Sequence, residues 1–158
     1  MKKMFLLVLI SLVFFSCVDG AYDPEARWEI NASEADLCEE NDSFTSAYDP
    51  ESDLDLLYLN FYDDLFDFYI YSFNENYTYE IKADVPYDLT TNTSISIYSY
   101  ASEPQLIESS VEPADDDRDS VIEAFQPTAG IYYIVVTNTL SSGTGEKRGY
   151  MLTINRND

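Results

Sequence analysis

The stretch Cys38–Asp49, CEENDSFTSAYD, places four carboxylates and one carboxamide beside a cysteine. These are hard oxygen donors. Calcium takes six to eight such oxygens in a tolerant geometry, so the composition points first to a cation. The alternative is that Glu39, Glu40 and Asp42 belong to an ordinary solvated acidic surface. Other chemistries fare worse. The chain has no histidine, which excludes a histidine general base, a Ser-His-Asp triad and His-ligated zinc. The glycines of GTGEKRG lie between two predicted strands and open no helix, so they make no phosphate loop. A glycosidase-like carboxylate pair is open to a chain with 30 acids, but no spacing marks one pair out. Asp115, Asp117 and Asp119 begin like an EF-hand loop. Ser120 then stands where glycine is needed, and Gln126 where the bidentate glutamate belongs, so a charged turn is the better reading. The expectation is a non-catalytic protein, with a carboxylate-based hydrolase as the least favoured alternative.

These residues must be held by strands. Fourteen tyrosines and nine phenylalanines suit pleated sheets better than helices. Hydrophobic residues make up 46% of the chain, enough to pack a core despite the acidity. Eight Lys and Arg against 30 Asp and Glu give a formal charge of -22. Such a surface repels nucleic acid and anionic lipid, so no nucleic-acid partner is expected.

Alternation places the strands. In YTYEIKAD, Tyr77, Tyr79, Ile81 and Ala83 face one way, while Thr78, Glu80, Lys82 and Asp84 face the other, the mark of a half-buried antiparallel strand. Further strands are read at Leu54–Phe61, Asp67–Phe73, Ser94–Tyr100, Ser120–Phe125, Ile131–Thr137 and Tyr150–Ile154, with a weaker one in QLIESS. Ile131–Thr137 is apolar on both faces, as a central strand should be. A short helical turn is placed at Ser33–Glu40, with Ser33 as its cap. About eight short strands separated by turn chemistry predict an all-β antiparallel β-sandwich, jelly-roll-like. Its core is assigned to Tyr79, Ile81, Ile95, Ile97, Phe125, Tyr133, Val135, Leu152 and Ile154.

The N-terminus reads differently. Lys2 and Lys3 precede an apolar run from Met4 to Phe15, the layout of a signal peptide and too short to span a bilayer. It ends FFSC, which resembles the lipobox of bacterial lipoproteins, with Ser16 before the cysteine to be lipidated and Phe14 where that family prefers leucine. By this resemblance residues 1–16 are a lipoprotein signal peptide, Cys17 carries the lipid, and 17–38 form an acidic tether. The expected location is the bacterial cell envelope, lipid-anchored. Val18 in place of the aspartate that retains lipoproteins in the inner membrane implies the outer membrane. With Cys17 acylated, Cys38 has no partner cysteine in the chain. Cleavage elsewhere leaves a Cys17–Cys38 disulfide open in an oxidising compartment.

The segments EENDSFTSA, DDLFDFYIYSF, YTYEIKA, SISIYSY, FQPTAGIYYIVV and GYMLTI occur in the order seen in the bacterial pre-peptidase C-terminal domain. The chain from 39 to 158 resembles that family, with the matched motifs running from Glu39 to Ile154. The resemblance implies a jelly-roll-like sandwich, usually an auxiliary module beside exported enzymes. No catalytic neighbour occurs here. Some members, the collagen-binding domains of secreted collagenases, bind calcium through an E-x-E-P-N-D pattern. Laid on this chain, that pattern makes Glu39, Asn41 and Asp42 ligands, joined by Asp64 and Asp67. Leu37 replaces its first glutamate and Glu40 its proline.

Two functions follow as expectations. One is a binding module displayed on a lipid anchor, gripping an extracellular protein or glycan. The other is a structural or accessory envelope lipoprotein that docks a partner in the same membrane. Exposed aromatics would favour the first, because aromatic rings dominate recognition hot spots. Tyr69, Tyr71, Tyr98, Tyr100 and Tyr132 are the candidate binding surface, and cross-strand packing is the alternative for each.

Overall fold

A computed structural model of the chain describes residues 38, 40–50, 57–61, 65–86, 91–110, 118–140 and 148–157. They contain eight strands: β1 (Leu57–Asn60), β2 (Phe66–Phe73), β3 (Thr78–Asp84), β4 (Thr93–Ser99), β5 (Leu106–Ser109), β6 (Ser120–Phe125), β7 (Gly130–Asn138) and β8 (Gly149–Asn157). No helix occurs among the described residues. The strands form two four-stranded antiparallel sheets, a first ordered β1-β8-β3-β6 and a second ordered β2-β7-β4-β5. The pairing is nested. The β4–β5 hairpin is innermost, and β3 with β6, β2 with β7 and β1 with β8 close successively around it. Successive pairs alternate between the sheets, which is the jelly-roll arrangement. The all-β sandwich expected from alternation is therefore the fold.

The alternating residues explain why the sheets face each other. Tyr79, Ile81 and Ala83 of β3, Ile95 and Ile97 of β4, and Leu152 and Ile154 of β8 are buried and belong to one core cluster. Their strand neighbours are mostly half-buried, giving the two-residue period of a one-sided strand. Phe73 is a hub of this core. Its ring meets those of Tyr79, Phe125 and Tyr132 edge-on, at centroid separations of 4.7, 5.2 and 5.5 Å. Such contacts add about 0.5–1.5 kcal/mol each beyond area burial.

All nine residues assigned to the core from sequence are buried. Tyr133 and Val135, however, lie outside the main core cluster. They alternate with the inward Tyr132, Ile134 and Val136 and so face the outer side of β7. Tyr133 is covered there by Phe44, with ring centroids 4.9 Å apart. Phe44 also meets Phe68 and Tyr98, at 4.8 and 5.3 Å. One ring from outside the strands thus roofs three aromatic residues of β2, β4 and β7, which is why β7 is buried on both faces.

The segment bearing Phe44 is fixed by main-chain pairing. The Tyr48 N–H donates to the Phe68 carbonyl, and the Ile70 N–H to the Tyr48 carbonyl, both at 2.8 Å. Tyr48 and Tyr69 form a parallel bridge. The Phe68 N–H donates to the Asn41 carbonyl at 2.8 Å. The chain therefore enters the sandwich along the outer edge of β2 and satisfies edge groups that would otherwise be a template for association.

Candidate calcium site and aromatic face

The entrance segment and β2 set the geometry. Asp67 alternates inward with Tyr69 and Phe73, so its carboxylate sits between the sheets, 1% exposed. Tyr150 enters from the first residues of β8 and donates its O–H to Asp67 Oδ2 at 2.6 Å. The Tyr150 oxygen in turn lies 2.7 Å from the Tyr69 hydroxyl. With the Tyr150 proton committed to Asp67, Tyr69 is the donor in that second bond. Both phenols are fully buried. Burial, first, and then the neighbouring Asp67 charge and Tyr69 raise the Tyr150 pKa well above the ordinary phenol value. Tyr150 therefore stays protonated and serves as a charge-assisted donor to a buried carboxylate.

Asn41 is brought to the same strand by the bond from Phe68, the residue after Asp67. Its side chain is 1% exposed, and neither Oδ1 nor Nδ2 has a hydrogen-bond partner among the described residues. A buried amide left in that state costs about 1–3 kcal/mol. A hard cation would relieve Oδ1, and an adjacent carboxylate would accept from Nδ2. Calcium suits this donor set, because amide and carboxylate oxygens are what it takes. Asp42, next in sequence, is exposed. Glu39 and Asp64 lie outside the described residues, as do Cys17, the signal segment and the tether. No group of three or more carboxylates or cysteines with metal-holding spacing occurs among the described residues. Of the sequence-assigned ligands, the structure thus brings Asn41 and Asp67 to adjacent backbone, with the exposed Asp42 next to Asn41 in sequence.

The lesser acidic cluster has a structural use. Asp119 Oδ1 accepts the Val85 N–H at 2.6 Å, and its Oδ2 lies 3.9 Å from Lys82 Nζ. Lys82 also pairs with Asp84. Asp119 thus ties β6 to the end of β3, while Asp115 and Asp117 lie outside the described residues. Cys38, which the sequence left with alternative fates, is buried in the core cluster.

The five tyrosines do not form one surface. Tyr69 and Tyr132 are buried, because they stand at inward positions of β2 and β7. There they pack between the sheets. The Tyr132 hydroxyl is held by Thr128, donating to its carbonyl at 3.0 Å. Tyr71 is half-buried and packs against the core, and Tyr98 is half-buried beneath Phe44. Tyr100 alone of the five is exposed, 52%, with its ring 4.9 Å from that of Tyr133. Sequence reading missed Phe44 as a roof and Tyr150 as the partner of Asp67. Neither has a local signal, since the Tyr150–Asp67 contact spans 83 residues. No protein-family model matches the chain, and no curated protein matches it.

Proposed function

We propose that the chain is a cell-envelope lipoprotein, anchored through Cys17 and most consistent with the outer membrane, that presents a non-catalytic β-sandwich module of the pre-peptidase C-terminal kind, pinned at its entrance by calcium. One observation carries the calcium reading. Asn41, where the chain enters the sandwich, keeps a buried amide without hydrogen-bond partners among the described residues, beside the strand that bears the buried Asp67. Asn41 Oδ1 and Asp67 would supply inner oxygens, and Asp42, Glu39 and Asp64 would complete the shell. Calcium there offers charge neutralisation and no reaction. The ordered motifs, with an eight-stranded sandwich behind them, support the family reading.

The anchor reading rests on the FFSC sequence behind two lysines and an apolar run. Several acyl chains hold a protein at about 0.8 kcal/mol per buried CH₂, far better than one chain alone. The test is membrane fractionation of the full chain and of Cys17→Ser. The variant should appear in the soluble fraction or accumulate unprocessed. A Cys17→Ser protein of mature size in an unchanged membrane fraction would refute the anchor.

Burial of Tyr69 and Tyr132 supports the second reading, an accessory lipoprotein that docks a partner in its own membrane. It removes two rings from the aromatic surface on which an extracellular ligand would settle.

A further inference from the structure

The two edges of the second sheet are treated differently. The entrance segment pairs along β2, as described above, whereas β5 ends the sheet on the other side. All four residues of β5 are exposed, Leu106 at 57% and Ile107 at 47%. β5 contains neither lysine nor proline, the usual guards of an edge strand. A register shift between Ile97 and Tyr98 disturbs its first half, so regular pairing with β4 runs through Glu108 and Ser109.

The backbone of this half shows which groups face outward. Glu108 stands opposite Ile97, and the Ser110 N–H donates to the Ile95 carbonyl at 2.8 Å. Alternate residues of an antiparallel strand point their amides to opposite sides. The Ser109 N–H, between them, is therefore aimed away from β4. It meets the carboxylate of its own neighbour, Glu108 Oε1, at 3.2 Å. A side chain from the preceding residue thus caps the edge amide where another strand would pair.

The charge around this edge has one sign. The sequence has no Lys or Arg between Lys82 and Arg118, while Glu103, Glu108 and Glu112 surround β5 in sequence. A second copy of the chain would bring the same charges against themselves, at a formal -22 each. We infer that β5 is a docking edge for an extended, lysine- or arginine-bearing segment of another protein, which adds as a fifth strand to the second sheet. A cationic side chain of the incoming strand takes Glu108. The Ser109 N–H is then released to a main-chain carbonyl of the partner, and Leu106 and Ile107 supply apolar contact. Backbone pairing gives the affinity and Glu108 gives the sign of charge selected, as in strand addition generally. This site is separate from the calcium site, and its test does not depend on calcium.

The probe is a capped peptide of alternating lysine and valine, titrated into the full chain in detergent micelles. Amide exchange is followed residue by residue. The expected result is slowed exchange at Ser109 and its β5 neighbours. Methylating the peptide's pairing amides should weaken binding about three- to tenfold, the loss of one or two net hydrogen bonds. Ser109→Pro removes the outward N–H at a position where an edge tolerates proline. It should lose the peptide response while melting as wild type does. Glu108→Gln should weaken binding about two- to fivefold, as for one exposed ion pair. Equal affinity for the methylated peptide on the wild-type protein would overturn the proposal, showing ion pairing without strand addition. So would equal affinity of a glutamate–valine peptide, or protection that spares β5.

Discussion

A buried carboxylate needs donors, and a phenol from the opposite sheet is one donor to Asp67. Asp67, Tyr150 and Tyr69 form a chain of bonds of 2.6 and 2.7 Å wholly out of water. Tyr150→Phe should destabilise the fold by about 1–3 kcal/mol, because it removes a charge-assisted donor from the buried Asp67. Tyr69→Phe should cost less, about 0.5–1.5 kcal/mol, since it removes the phenol–phenol bond and leaves the Tyr150 bond to Asp67 in place. The two should not add, being members of one network. Urea unfolding of both single variants and the double variant checks this. The raised Tyr150 pKa also sets a sign. Its share of stability is complete below the unfolded phenol's pKa of ~10 and is lost as pH rises beyond it. Unfolding curves measured across that alkaline range should fall less steeply for Tyr150→Phe than for wild type. Asp67 was legible in the sequence as a ligand candidate only through the resemblance to the pre-peptidase C-terminal domain. Its phenolic partner was not, because nothing local in GYMLTI reports which residue across the sandwich it will meet.

Each strand is legible to the extent that its environment is one-sided. β3 alternates cleanly and appears where alternation puts it, at Thr78–Asp84. β7 was legible as a central strand from its two apolar faces, and it lies between β2 and β4. The cover on its outer face was not legible, because Phe44 sits in a polar stretch with no periodicity. Phe44 is half-buried, yet it touches three rings. Phe44→Ala should therefore cost about 1–3 kcal/mol, below the loss for a fully buried ring. It should act locally first. The amides of Phe68 and Ile70, which bond to the entrance segment, should exchange faster while those of β3 and β8 keep their protection. Uniform loss of protection across both sheets would instead make Phe44 part of the global core.

The whole molecule is a sandwich whose class followed from counting strands and turns, but whose nested order did not. Which strands pair depends on contacts far apart in sequence, and the β1–β8 ladder joins nearly the two ends of the domain. The high negative charge is a property of this same scale. Gathered carboxylates repel one another until a cation sits among them, so calcium should stabilise the folded chain. Magnesium should stabilise it less, since it demands a tighter octahedron and keeps its water. The deciding measurement is thermal unfolding of the full chain in detergent micelles, in EDTA, in calcium and in magnesium, for wild type and Asn41→Ala. At free calcium of ten times the dissociation constant, linkage should add about 1.4 kcal/mol to the wild type. Asn41→Ala should lose that gain. In EDTA it should be no less stable than wild type, because it deletes a buried amide whose polar atoms have no partners among the described residues. Identical wild-type melting in EDTA and calcium, or an undiminished calcium response in Asn41→Ala, would contradict a cation held at the entrance of the sandwich.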